Sequence, residues 1–430
     1  MEILIKNIRV VNPKTDYDEV SDLFISEGKV KKLAPAGSLT DDVWGPFARI
    51  IDGTGLTAFP GIVDLHVHLR DPGQTEKEDL HSGSLAAAAG GVTTLVAMPN
   101  TYPPIDSLER FERVTERAEE IGIVNILQAG AITKGMQGAE LSDMFRMMDA
   151  GCRAFSEDGK SVMDTSLMRD AMRETSESGI PILAHCEDAN LARGVMNAGQ
   201  RSRELGLPGI TNAVENIIVF RDVELSRETG AALHICHCST KESYEIVNNA
   251  KSKGINVTAE VCPHHFTLID DDIPDANATN YKMNPPLRSK DDRDALIKGL
   301  SDGTFDCIAT DHAPHTPEDK DKGFLRAPFV IVGLETSFSL SYTELVKKGV
   351  LTFPKLIEKL SINPSRILKI DRGDISEGKT ADIAIADLSE EYVIDTSKFK
   401  GRSNNCPYNG RKVTGRIKMT ICSGKLVYEA

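Results

Sequence analysis

Pro60-Gly-Ile-Val-Asp-Leu-His-Val-His-Leu-Arg70 is an apolar run that breaks into chemically capable side chains, His66, His68 and Arg70. Side chains alternate along a strand, so a strand here projects Asp64, His66, His68 and Arg70 from one face. The same arrangement returns seven more times. Short β-branched or apolar runs end at Met98-Pro-Asn100, Gly130-Ala-Ile-Thr133, Ser156-Glu-Asp158, His185-Cys-Glu187, His237-Cys-Ser239, Pro263-His-His265 and Thr310-Asp-His-Ala-Pro-His315. Between the runs lie segments such as Ser107 to Gly122 and Ser166 to Gly179, long enough for a helix that returns the chain to the bottom of a parallel sheet. Eight such units predict an α/β protein built on a (β/α)8 TIM barrel, where reactive groups gather at the C-terminal ends of the strands. The rival is a doubly wound open sheet, which would crowd its polar residues into one crevice.

The two ends of the chain read differently. Residues 1–58 hold short alternating strands, Ile3-Leu-Ile5, Arg9-Val-Val11 and Leu23-Phe-Ile25, and residues 372–430 have the same texture at Ala381 to Ala386 and Arg416 to Ile421. The expectation is one small β domain formed by both ends, flanking a barrel of residues 59–371.

Composition narrows the partners. The 64 acidic against 50 basic side chains leave a formal charge of −14. That surface repels nucleic acid and anionic membranes, so an anionic substrate must be drawn in by local positive charge. No apolar run reaches the roughly 18 residues of a membrane span, and the N-terminus lacks a basic segment followed by an apolar one. Eight cysteines are too sparse for a disulfide scaffold and mostly sit in apolar runs. Reduced core thiols and a cytoplasmic protein follow.

Histidine placement carries the chemistry. One His-x-His pair is weak evidence, but His185, His237 and Asp311 follow at the ends of strands five, six and eight, and Asp158 ends strand four. A barrel brings these six to one rim, and an imidazole and carboxylate set of this kind suits zinc. His81 reads as a solvated helix residue, and His234, out of register with His237, as core packing. Gly373 to Thr380 satisfies the spacing of a phosphate-binding loop, yet a helical segment precedes it and a strand follows. The helix amides that would face a phosphate are missing, and nucleotide binding is rejected.

These strings together, with Ala97-Met-Pro-Asn-Thr101, Thr258 to His265, Lys282 to Arg288 and the late Gly378-Lys-Thr-Ala-Asp382, resemble the class I dihydroorotases of the amidohydrolase superfamily. The resemblance implies a cyclic amidohydrolase that interconverts N-carbamoyl-L-aspartate and dihydroorotate, a step of pyrimidine synthesis. It implies two zinc ions, one held by His66, His68 and Asp311, the second by His185 and His237, with Asp158 bridging. Arg70, Asn100, Asn284 and His315 would contact the substrate, as would the pair Phe329 and Val330. Asp311 would carry the proton between water and the ring nitrogen. Two residues depart from the family's pattern: Glu157 stands where many relatives have a second Asp, and Phe329-Val330 replaces a Phe-Gly pair. The resemblance leaves open both a homo-oligomer and a complex with aspartate transcarbamoylase.

Three rivals bear on the reading. Hydantoinases and allantoinases share such a fold but usually bridge their metals with a carboxylated lysine on strand four, and Cys152-Arg-Ala-Phe155 has none. A non-catalytic scaffold would have lost metal ligands, whereas all six stand here. A deaminase would have no use for a carboxylate-gripping Arg70.

Overall fold

The computed structural model describes residues 2–40 and 48–430. Five strands precede the barrel: β1 (Glu2–Asn12), β2 (Tyr17–Ser26), β3 (Lys29–Pro35), β4 (Ala48–Asp52) and β5 (Thr57–Pro60). Barrel strands follow as β6 (Ile62–Val67), β7 (Val92–Ala97), β8 (Asn125–Gln128) with its continuation β9 (Gly130–Ala131), β10 (Phe155–Ser156) and β11 (Ile182–Ala184). A two-stranded ladder, β12 (Met196–Asn197) with β13 (Gly209–Ile210), stands outside them. The remaining barrel strands are β14 (Leu233–Ile235), β15 (Val257–Val261) and β16 (Cys307–Ile308), and the chain closes with β17 (Ile383–Val393), β18 (Lys412–Cys422) and β19 (Lys425–Glu429).

All barrel pairings are parallel, in the orders β6-β7-β8 and β9-β10-β11-β14-β15-β16. Closure comes from a parallel bridge between Val67 and His312, with the His68 amide donating to the His312 carbonyl at 2.8 Å. The helices between strands form where the apolar spacing predicts them, at Leu108–Ile121 and Thr165–Ser176 among others. Each buries one face, Phe111, Val114 and Ala118 in the first, Met168, Ala171 and Met172 in the second. Inside, Val63, Leu65, Val96, Leu183, Cys236 and Ala309 share one packed cluster, so the barrel is filled and ligands are confined to its rim.

The ends of the chain do pair. One sheet runs β19-β18-β17-β5-β1-β2-β3, with β4 added parallel to β1. Ile3, Ile5, Val10 and Leu23 from the first segment pack against Ile383, Ile385 and Ile421 from the last. The run Gly373 to Thr380 leads into β17, and Lys379 Nζ is spent on Asp371 at 2.8 Å, so no helix amides are offered to a phosphate.

One detail of register differs from the sequence reading. Asp64 pairs with Leu95 but Val67 with Ala97, so a bulge interrupts β6 between them. The strand ends at Val67, and Arg70 lies beyond it with φ +59°. Simple alternation therefore does not place Arg70 beside His68. Asp64 is turned to structural use, accepting the His66 and Thr310 amides at 3.1 Å each. Burial raises its carboxyl to about 7.

Candidate metal centre

Asp158, two residues beyond β10, is the hub of the rim. Its Oδ1 lies 3.0 Å from His66 Nε2, 3.5 Å from His185 Nδ1 and 3.7 Å from His237 Nε2. Its Oδ2 lies 3.3 Å from His68 Nε2. Asp311, three residues beyond β16, puts Oδ1 at 3.1 Å from His68 Nε2 and 3.5 Å from His66 Nε2. His185 Nδ1 and His237 Nε2 are 3.0 Å apart. All six side chains foreseen as a metal set thus converge, each at most 5% exposed. His237 and Asp311 hold positive φ, +35° and +50°, a backbone cost tolerated where surrounding contacts over-determine the position.

The donor set suits a cation. His66, His68 and Asp311 bring ligand atoms within 4.8 Å of one another, as do His66, Asp158 and His237. His66 Nε2 and Asp158 Oδ1 are buried without a hydrogen-bond partner, a state that costs about 1–3 kcal/mol per group unless something satisfies them. A positive ion between them would do so. Burial raises the Asp158 carboxyl, but the charge of His66 and the closeness of the His185, His237 and His66 ring nitrogens outweigh it and hold it well below the usual range. Asp311 is lowered likewise, burial being overcome by His66 and His68.

Around this core the remaining foreseen residues take definite positions. Asn100 presents Oδ1 to His68 Nδ1 at 2.9 Å and donates from Nδ2 to the Asp158 carbonyl at 3.2 Å, so it orients two members of the cluster. Asn284 donates to Glu187 Oε2 at 2.8 Å, and that same oxygen lies 2.9 Å from His185 Nε2. Arg70 Nε donates to the Pro314 carbonyl at 3.3 Å; burial lowers its guanidinium to about 10, which leaves it charged at neutral pH. His315 Nε2 meets the Phe329 carbonyl at 2.8 Å, and its buried Nδ1 has no partner. Burial, with the charges of Arg70 and Lys320, keeps that imidazole neutral. Val330 takes φ +70°, and its amide donates to the Lys282 carbonyl at 2.8 Å. The Phe329 ring lies under Lys282 Nζ at 4.4 Å.

Glu157 turns away from the cluster. Its carboxylate accepts the Thr133 amide at 3.0 Å and also bonds the Thr133 hydroxyl. Lys160 is also turned away, its Nζ donating to the Met136 carbonyl at 3.0 Å. Both line a cavity of about 400 Å³ at the rim, together with Gly159 and Glu187.

One residue escaped the sequence reading. Glu260, on β15, is fully buried and touches His66 and His234, and His234 is accordingly a polar partner within the core. A carboxylate in the middle of a buried strand was the available signal. His81 is exposed on its helix, as its pattern suggested.

A parallel barrel with a flanking sheet from both chain ends, and buried histidines and carboxylates at the strand ends, defines an amidohydrolase. L-Hydantoinase (dihydropyrimidinase) from Arthrobacter aurescens shares the fold with a TM-score of 0.86 and 26% identity over 99% of this chain and 96% of that one. The dihydro-orotase-like family model matches residues 55–243. A dihydroorotase of Clostridioides difficile strain 630 is 45% identical over 429 residues, covering 100% of both chains. One of Halalkalibacterium halodurans is 44% identical over 430 residues, 100% of this chain and 99% of that one. The chain belongs to the dihydroorotase family.

Proposed function

We propose that this chain is a zinc-dependent dihydroorotase, reversibly converting N-carbamoyl-L-aspartate into (S)-dihydroorotate and water on the route to pyrimidines. Full-length identity of 44–45% to dihydroorotases supports the activity. The single observation that carries the metal assignment is Asp158 at the centre of four imidazoles, where a cyclic amidase bridged by a carboxylated lysine would need an amine. In this reading His66, His68 and Asp311 would hold one zinc, His185 and His237 the other, and Asp158 would serve both. When bound, zinc supplies a Lewis acid that polarises the reacting carbonyl and makes water a competent nucleophile at neutral pH.

The chain's own groups do the rest. Asp311 Oδ takes the proton from water during ring opening and hands it to the departing ring nitrogen; ring closure runs the same transfer backwards. Arg70, charged and partly buried, grips the substrate carboxylate with parallel hydrogen bonds. It supplies the local positive charge that a protein of net −14 requires. Neutral His315, Asn284, Asn100 and the Phe329-Val330 segment complete the substrate-contact set, Asn100 from its place against His68 and Asp158 and Asn284 through Glu187. We assign the chemistry to a barrel of residues 59–371 and its support to a β unit of residues 1–58 with 372–430.

A cytoplasmic location is supported by eight cysteines, all free and buried. Among the described residues, no helix is long and apolar enough to cross a membrane. The test is turnover of dihydroorotate beside hydantoin and allantoin by one preparation. Preference for dihydroorotate bears the reading out, and preference for either of the others returns the hydantoinase or allantoinase alternative.

A further inference from the structure

Glu260, on β15, reaches both halves of the metal cluster from the barrel interior. Its Oε1 lies 3.2 Å from His66 Nδ1 and accepts the His237 backbone amide at 3.3 Å. Its Oε2 lies 3.0 Å from His234 Nε2, whose other ring nitrogen is 2.8 Å from Thr258 Oγ1. Glu260 and His234 are both 0% exposed. From these contacts we propose that Glu260 is a positioning residue for the whole metal centre, anchored from behind by His234 and Thr258.

The argument is one of donors and acceptors. A carboxylate is an acceptor only, so each imidazole nitrogen facing it must carry the hydrogen. A hydrogen on His66 Nδ1 leaves Nε2 as the lone-pair nitrogen, and Nε2 is the atom aimed at Asp158 and Asp311. Glu260 therefore selects the ligating tautomer of His66 and fixes its ring, as outer carboxylates do for metal-bound histidines. The bond to the His237 amide acts on the other half. His237 stands at φ +35°, outside the broad allowed regions, and a hydrogen bond at that amide helps to hold a conformation the backbone would otherwise leave. One carboxylate thus sets a side chain belonging to the first zinc and a backbone belonging to the second.

His66, Cys236 and Glu260 also bring donor atoms within 4.8 Å of one another, so Glu260 as ligand of a further ion is the competing role. The two differ in what is lost. A positioning residue weakens binding at existing sites, and a ligand removes a whole equivalent.

The inference rests on the metal reading above but not on the substrate. The test is zinc titration of full-length apo-protein against a chromophoric chelator, with the melting temperature of each apo-protein measured alongside. Glu260→Gln keeps the volume and removes the charge. It is expected to bind as many equivalents as the parent, 10- to 100-fold more weakly, with little change in apo melting temperature. His234→Gln, which removes the rear anchor only, is expected to shift affinity in the same direction by less. Should Glu260→Gln fail to fold, His234→Gln decides alone. Parental affinity in a folded variant overturns the proposal, and so does loss of an entire equivalent, which would make Glu260 a ligand. Weakened zinc binding in a protein inert towards dihydroorotate would retain this proposal while removing the substrate reading.

Discussion

Lys320 Nζ donates to the carbonyl of Val330 at 2.8 Å from a side chain only 5% exposed. The same Nζ lies 2.9 Å from the Pro328 carbonyl and 3.3 Å from the Thr279 carbonyl. Lys282 does the equivalent for Ala327 at 2.6 Å. The charged segment from Pro314 to Pro328 is therefore tied down at its end. Replacing Lys320 with Met removes three hydrogen bonds and leaves the Pro328 carbonyl without a donor, while the Thr279 and Val330 carbonyls keep the Lys282 amide and Asn405 Nδ2. We expect a loss on the order of 2 kcal/mol in stability. Hydrogen exchange should quicken through residues 314–330 and nowhere else. Unchanged exchange there would show that the lysine is a bystander.

The same side chain has a pH signature. Burial, with the charges of Lys282 and Arg70, lowers Lys320 from 10.5 to about 7. Between those values the unfolded chain binds the proton and the folded one does not, so this group makes stability rise as pH climbs from about 7 towards 10.5. Lys282, lowered by burial to about 8, acts in the same direction. Denaturation of the parent and of Lys320→Met at pH 7 and pH 9 should show a smaller gain in the variant. Equal gains would contradict the assigned shift.

Val330 is a β-branched residue at φ +70°, where a left-handed backbone costs about 1–2 kcal/mol. Val330→Gly relieves that cost while giving up roughly 1.5–3 kcal/mol of apolar burial. We expect a net change between a gain of about 0.5 and a loss of about 2 kcal/mol, less than for Val332→Gly, whose buried side chain has no such strain to release. Comparable losses at the two positions, measured by denaturant titration, would show that the strain at 330 is not felt.

What could be read in advance depended on whether neighbours in sequence were neighbours in space. His66, His68, Asp158, His185, His237 and Asp311 each end an apolar run, and a parallel barrel gathers such ends whatever the details between them. Arg70 was placed by counting twos along a strand, and the bulge between Asp64 and Val67 broke that count. Glu260 was missed because its partners come from other strands, His66 at 194 residues' separation and His234 at 26. The parallel pairing of β1 with β4 and β5 was equally hidden, since alternation marks a strand but not its partner. Asn100 shows the intermediate case: its place at the rim was legible, but its bond to His68 was not.

Asp311 is the proton carrier of the proposed chemistry. Asp311→Asn preserves shape and should fold normally, yet turnover should fall by at least 100-fold in both ring opening and ring closure, the scale of lost general acid–base catalysis. Closure also turns a dianion into a monoanion and consumes one proton, so the equilibrium in the parent should move towards dihydroorotate as pH falls. Near-parental rates in the variant would take Asp311 out of the mechanism.

The central claim is that Asp158 bridges two zinc ions in a dihydroorotase, and metal-free protein titrated with zinc in degassed, bicarbonate-free buffer tests it most directly. Opening of dihydroorotate is followed after each addition. The account predicts no turnover without metal and full activity at two equivalents per chain, because an aspartate needs no carbon dioxide to become an anionic bridge. Full turnover in metal-free protein, or reactivation that requires bicarbonate, would contradict it.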